Sequence, residues 1–260
     1  MRRTKVLTLA VVLAAAAGLC LTAGGALADN GKAPATLSFF SGGEGAQAHW
    51  LATSDQPPND TDNQAIELQT TFDATASKGY AGILVHHVTG IPAADFPDSA
   101  FWNKTPCPYT GAPSTLGSPR LVVEFQDATG NYVGYGDLRE NTRDCDWEQV
   151  SDSEFGANST FGAYPNSAWD VMPQGAYSGS CPFLYNVEWS TVQSCFAGDT
   201  TLSVFLVADA YGIDHLIDDI TVGEKTFSSA SDNGKGNNDP AGPSATTDLS
   251  LLPPLLFPPL

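Results

Sequence analysis

The stretch His215-Leu-Ile-Asp-Asp-Ile-Thr-Val-Gly223 decides the fold reading. Side chains of a β-strand alternate between two faces. Leu216, Asp218, Ile220 and Val222 therefore share one parity, and Ile217, Asp219 and Thr221 the other. The first set is apolar apart from one acid, which predicts a strand that turns this set, Asp218 included, toward a core. Asp219 is expected in solvent.

The same period recurs upstream. Ala65-Ile-Glu-Leu-Gln-Thr-Thr-Phe72 sets Ile66, Leu68 and Phe72 against Glu67 and Gln69. Arg120-Leu-Val-Val-Glu-Phe-Gln126 sets Leu121, Val123 and Phe125 against Arg120, Glu124 and Gln126. Each reads as a strand with one wet face. Residues 79–89 and 202–208 are apolar on both parities and read as central strands covered on both sides. Tyr132 to Leu138 follows across Asp127-Ala-Thr-Gly-Asn131, a glycine-containing loop of hairpin length. Lys225-Thr-Phe227 extends the closing strand. One short helix is expected, because Ser190-Thr-Val-Gln193 has capping-box order and Trp189, Val192 and Phe196 fall near one face. Stretches 90–118 and 151–180 read as long Gly/Pro- and Ser/Asn-rich loops. The fold class is all-β, an antiparallel sandwich with long loops and one short helix, spanning 36–227.

The chain has 260 residues, 25 Gly and 18 Pro, with 42% hydrophobic and only 15% charged residues, a globular composition. Its formal net charge is −18. That excess of acid argues against a nucleic-acid partner, which needs a Lys/Arg footprint, and against docking on an anionic membrane.

Residues 1–28 read as a secretory signal peptide: Arg2, Arg3 and Lys5, then an apolar run from Val6 to Leu21, then Ala26-Leu-Ala28 before Asp29. The run is shorter than a membrane span needs. Residues 29–35 are a polar lead, and 228–260 a disordered linker ending in the Leu/Pro-rich Ser250-Leu-Leu-Pro-Pro-Leu-Leu-Phe-Pro-Pro-Leu260. The expected location is secreted and extracellular. Without Cys20 of the signal, four cysteines remain: Cys107, Cys145, Cys181 and Cys195. An even number in an exported chain indicates disulfides, and sequential pairing, Cys107 with Cys145 and Cys181 with Cys195, closes the shortest loops.

The closing stretch 215–223 also resembles the last strand of jelly-roll modules in secreted proteins, including galactose-binding-like and carbohydrate-binding modules. There an apolar–Asp–Asp–apolar–x–apolar pattern ends the domain. Gly117-Ser-Pro-Arg120 leading into a strand and hairpin looks like exported bacterial domains. The resemblance implies a jelly-roll fold. In such modules an acid at the place of Asp218 helps hold a structural Ca2+ with oxygens from an early loop, for which Glu44 and Asp60 are conceivable partners. The favoured alternative needs no ion: the Asp218 carboxylate accepts backbone N–H bonds and closes a loop.

No nucleophile elbow, P-loop or dinucleotide fingerprint occurs, and His86 and His87 are neighbours that face opposite ways on a strand, so no catalytic residue is nominated. Loop aromatics, with Trp102 and Trp169 as the named candidates, offer ring faces for sugars or fill the core. The favoured function is a non-catalytic extracellular binding module whose partner is a glycan or a cell-surface component. The rivals are a hydrolase of extracellular polymers and a structural or cell-surface interaction protein.

Overall fold

The computed structural model describes residues 35–43, 45–70, 79–105, 119–140, 146–152, 155, 167–175, 181–209, 214–223 and 225–233. Two antiparallel sheets face each other across one core. The first has seven strands in the order β1 (Thr36–Gly42), β4 (Tyr80–His86), β11 (Thr200–Ala208), β6 (Arg120–Gln126), β7 (Tyr132–Glu140), β9 (Ser167–Pro173) and β10 (Leu184–Val187). The second runs β2 (Gln47–Ala52), β3 (Gln64–Gln69), β12 (Asp214–Val222), β5 (Ser99–Lys104) and β8 (Glu148–Ser151), with β13 (Lys225–Phe227) beside β12. β11 enters between β4 and β6 in one sheet, and β12, next in the chain, enters between β3 and β5 in the other. This nesting of late strands between early ones is the jelly-roll pattern, and the all-β sandwich expected from the period-two runs is the fold.

The inner faces supply the core. Leu68, Ile83, Phe101, Leu121, Phe125 and Trp169 are fully buried there. The runs that are apolar on both parities became interior strands, β4 and β11, flanked on both edges. Their outward residues join a second apolar cluster of Phe40, Val122, Phe205 and Val207. Glu124, expected on a wet face, is instead 2% exposed and accepts a hydrogen bond from Ser203 Oγ at 2.5 Å. Burial raises its pKa, and the Ser203 bond opposes that rise.

The one α-helix among the described residues, α1 (Trp189–Cys195), closes the core at the β7–β9 end. Trp189 packs on Trp169 with ring centroids 4.4 Å apart, and Phe196 stacks on Phe125 at 4.5 Å. A Cβ on Gly136 of β7 would lie 2.6 Å from Val192, so only glycine admits the helix this close. The capping box did not form. The helix begins two residues earlier, with Glu188 rather than Ser190 at the N-cap, where the backbone N–H of Trp189 donates to Asp152, and Gln193 donates to the carbonyls of Ala94 and Phe96 instead of reaching back. A disulfide joins Cys181 to Cys195 with Cα atoms 5.4 Å apart, as sequential pairing predicted. Closing a loop of this length contributes about 3 kcal/mol in the chain-entropy model. Cys107 and Cys145 lie outside the described residues, as do the signal segment, Phe72 and the Leu/Pro tail.

Two expected loops contain strands. β5 lies inside 90–118, and β9 inside 151–180. Their runs, Ser99-Ala-Phe-Trp-Asn-Lys104 and Ser167-Ala-Trp-Asp-Val-Met-Pro173, are short and set among prolines, glycines and serines that dominate any longer window. Among the described residues no helix is long and apolar enough to cross a membrane.

Candidate metal centre

The closing strand is not uniform. Against β5, Asp218 pairs with Trp102 and Thr221 with Ala100, so Asp219 and Ile220 together oppose Phe101 alone. Such a bulge reverses parity. Asp219 takes the extra position with φ +45, a left-handed conformation that Asp tolerates better than most residues. His215 and Ile217 point inward before the bulge, and Ile220 and Val222 after it. Leu216 is therefore only half-buried, which corrects the expected common face. Asp218 is fully buried, at 0% exposure, but it faces the other way, beneath the β2–β3 connection.

That connection, 53–63, reads Thr53-Ser-Asp-Gln-Pro-Pro-Asn-Asp-Thr-Asp-Asn63. Thr53 N–H donates to Asn63 O and ties its base. Asn59 and Asn63 adopt positive φ of 73° and 59°, bending the backbone on either side of Asp60 and Asp62. The result brings one carboxylate oxygen each of Asp60, Asp62 and Asp218 within 4.8 Å of one another.

Each of the three aspartates is held by one oxygen and leaves the other unpaired. Asp60 Oδ1 accepts the N–H of Thr61 and Asp62. Asp62 Oδ1 accepts Gln64 N–H at 2.8 Å and Gln56 Nε2 at 3.0 Å. Asp218 Oδ1 accepts Asp219 N–H at 2.7 Å. The three Oδ2 atoms are buried and accept no hydrogen bond from a donor group of another residue, although Asp218, when protonated, can bond the Asp60 carboxylate. Burial pushes the Asp218 carboxyl up to about 8, and the adjacent Asp60 and Asp219 push it the same way. Burial likewise raises Asp62, with Asp60 and Asp232 adding to it. Asp219, expected in solvent, is half-buried and raised by burial and by Asp60, Asp62 and Asp232. Among the described residues no Lys, Arg or His forms an ion pair with any of these acids.

A third segment borders the cluster. The 3-10 turn Ala230–Asn233 follows β13, and Ala230 N–H donates to Gln64 Oε1 at 3.0 Å. Burial alone would raise Asp232, but four hydrogen bonds from Ser228 and Ser229 outweigh it and hold the carboxyl below its ordinary value.

Buried carboxylate oxygens without donors or cations are costly. Hard oxygen donors converging from a loop and a strand match Ca2+, which accepts six to eight oxygens in irregular geometry. Asp60, Asp62 and Asp218 are the side chains that would hold such an ion. Of the partners named from sequence, Asp60 sits at the cluster and Glu44 lies outside the described residues. Asp62 was missed, although Asp60-Thr-Asp62 places two acids at alternate positions in a Pro/Asn loop.

The aromatic candidates separate. Trp169 is wholly buried between the sheets against Trp189, so it offers no ring face to a ligand. Trp102 is half-buried on the outer side of the six-stranded sheet, directly opposite Asp218 in register. His86 ends β4 with its Nε2 2.7 Å from Ser38 Oγ, while His87 has left the strand with φ +65.

No family model matches the chain, and no curated protein matches it. Among solved structures it is similar to an arabinose-bound MgGH51 α-L-arabinofuranosidase, at 10% identity over 69% of this chain and with a TM-score of 0.28. The match spans 23% of that enzyme's chain, and a likeness this weak bears no argument about activity.

Proposed function

We propose that this protein is an exported, non-catalytic binding module for glycans, with its β2–β3 connection clasped to the closing strand by a divalent cation of calcium type. The observation that carries the cation is the set of three buried Oδ2 atoms on Asp60, Asp62 and Asp218, each aspartate already anchored through its other oxygen. The Cys181–Cys195 disulfide suits an oxidising compartment. A catalytic reading needs acids poised to exchange protons with a substrate. Of the buried acids outside the cluster, Asp137 and Asp170 are engaged with Arg120 and Arg139, and Glu124 with Ser203.

Two measurements test this. Titrating Ca2+ into chelator-treated protein should raise Tm; at a hundredfold excess over Kd the gain is about 2.7 kcal/mol, or some 5–10 °C for a domain of this size. A Tm indifferent to Ca2+, Mg2+ and Mn2+ would remove the cation. A panel of soluble and insoluble polysaccharides should show retention without release of reducing ends. Hydrolysis of any of them would establish the enzyme instead.

A further inference from the structure

We infer that the outer face of the six-stranded sheet beside the acid cluster is the ligand platform, formed by Trp102 and Trp147 for a neutral polyhydroxyl chain, and that cation binding sets this platform in place. The inference rests on the glycan-binding reading above and gives it a location and a control.

β5 alternates: Ser99, Phe101 and Asn103 are buried, while Ala100, Trp102 and Lys104 are half-buried on the outer side. Trp102 is paired with Asp218 on one flank and with the exposed Gln149 of β8 on the other. Directly opposed residues of an antiparallel pair have Cβ atoms about 5 Å apart. The indole of Trp102 therefore shares a row with an acid of the cluster. Trp147 leads into β8, and its Nε1–H donates to Asp55 Oδ1 at 3.1 Å. Lys104 Nζ donates to both oxygens of the same carboxylate at 2.7 Å. One carboxylate thus brings the Trp147 ring and the Lys104 amine together on the face that carries Trp102. Both indoles are half-buried, and among the described residues neither stacks on another ring.

The chemistry of the patch selects its ligand. Two indole faces suit the C–H faces of sugar rings. Gln149, Asp55 and Lys104 supply donors and acceptors for hydroxyls. The charge of Lys104 is matched by Asp55, so a charged polymer finds no uncompensated partner here.

Asp55 belongs to the connection that carries Asp60 and Asp62. A cation drawing Asp60 and Asp62 onto Asp218 holds this connection against the sheet, and Asp55 with it. Without the cation, the like-charged Asp60 and Asp62 and the uncompensated buried Asp218 carboxyl no longer favour closure, and Asp55 is released from Lys104 and Trp147. Coupling of this kind is reciprocal, so bound glycan must tighten cation binding by the same factor.

The test uses the whole secreted chain, chelator-treated or supplied with Ca2+, on affinity gels containing neutral polysaccharides (a β-glucan, xylan, mannan) or anionic polygalacturonate. Tryptophan emission is followed in a parallel Ca2+ titration. Expected are retention by a neutral polymer, its loss by about tenfold or more in Trp102→Ala and in Trp147→Ala, a comparable loss on chelation, and a Ca2+-dependent emission change that Trp147→Phe diminishes. Calorimetric Ca2+ binding and Tm of Trp102→Ala should stay at wild-type values, and Trp147→Ala, which loses the bond to Asp55, should still unfold cooperatively with Ca2+ binding weakened, which separates a lost platform from a lost fold. Retention that survives both alanine variants overturns the platform and leaves the glycan-binding reading intact. Retention equal with and without Ca2+ overturns the coupling. Preference for polygalacturonate overturns the assignment of a neutral ligand. Absence of retention by every polymer, with Ca2+ bound, sinks the glycan-binding reading itself.

Discussion

Two regions of this molecule bury several aspartates, and they treat them in opposite ways. On the outer face of the seven-stranded sheet, Asp137 lies directly opposite Asp170, and Arg120 directly opposite Arg139. Like charges in register repel. Here the diagonals resolve the conflict: Arg120 Nη1 reaches Asp137 at 3.3 Å, and Arg139 Nε reaches Asp170 at 2.8 Å. Asp209 adds a second partner to Arg120, and Asn186 N–H donates to Asp170. Burial raises the Asp137 carboxyl and Arg120 opposes the rise. On the outer face of the six-stranded sheet, Asp60, Asp62 and Asp218 converge with no internal cation. Among the described residues the chain supplies its own counter-charge in the first place and none in the second, where the proposed cation would come from solvent. The difference teaches that burial of acids is not in itself a sign of a site. Convergence of several carboxylates that no Lys, Arg or His pairs among the described residues is, and an unpaired oxygen alone is not, since Asp137 Oδ1 also lacks a partner.

Arg139→Met tests the self-sufficient region most severely. It strips Asp170 of its cation at a position 4% exposed, and should cost about 3 kcal/mol in denaturant unfolding. Added Ca2+ should stabilise the variant and wild type equally, leaving the difference between them unchanged. A difference that shrinks in Ca2+ would mean the two regions are not distinct.

Asp218→Asn probes the other side. The Ca2+-induced gain of about 2.7 kcal/mol at hundredfold excess should vanish. In chelator, the variant should be more stable than wild type, because its amide is neutral without binding a proton whereas the buried Asp218 carboxyl must take one up. A variant less stable than wild type in both conditions would mark Asp218 as structurally satisfied.

The same pair of proteins sharpens the comparison through pH. The Asp218 pKa is raised in the folded state, so the folded protein binds the extra proton and wild-type stability in chelator falls as pH rises from about 4 toward 8. The advantage of Asp218→Asn in chelator should therefore shrink as pH is lowered across that window. Urea midpoints at several pH values, corrected for the trend common to both proteins, read it out.

The smallest effect belongs to Asp209→Asn. Asp209 sits at the rim with its side chain 21% exposed, and Arg120 keeps Asp137, so the loss should be about 1 kcal/mol or less and independent of Ca2+.

Much of the fold was legible because strand periodicity is local. The runs at 65–69, 120–126 and 132–138 became β3, β6 and β7, and the doubly apolar runs at 79–89 and 202–208 became the interior strands β4 and β11. Where a single run was short and its surroundings rich in turn formers, as at β5 and β9, the local signal was lost. The acid at 218 stood out in the sequence for a reason that proved incomplete. Its parity suggested burial, but the bulge at Asp219 turns it to the opposite face, and the connection above it does the burying.

Period-two alternation by itself pointed to a β-sandwich, since it depends only on residues close in the chain, and the cysteine count pointed to disulfides, while the structure decided that Cys181 pairs with Cys195. Three further things waited on the tertiary structure: the pairing of Asp137 and Asp170 with arginines, the convergence of Asp60 and Asp62 on Asp218, and the burial of Trp169 but not of Trp102. Asp60 and Asp218 are separated by most of the chain. Whether two distant carboxylates meet each other, an arginine or water depends on strand order and register, which no local stretch of sequence encodes.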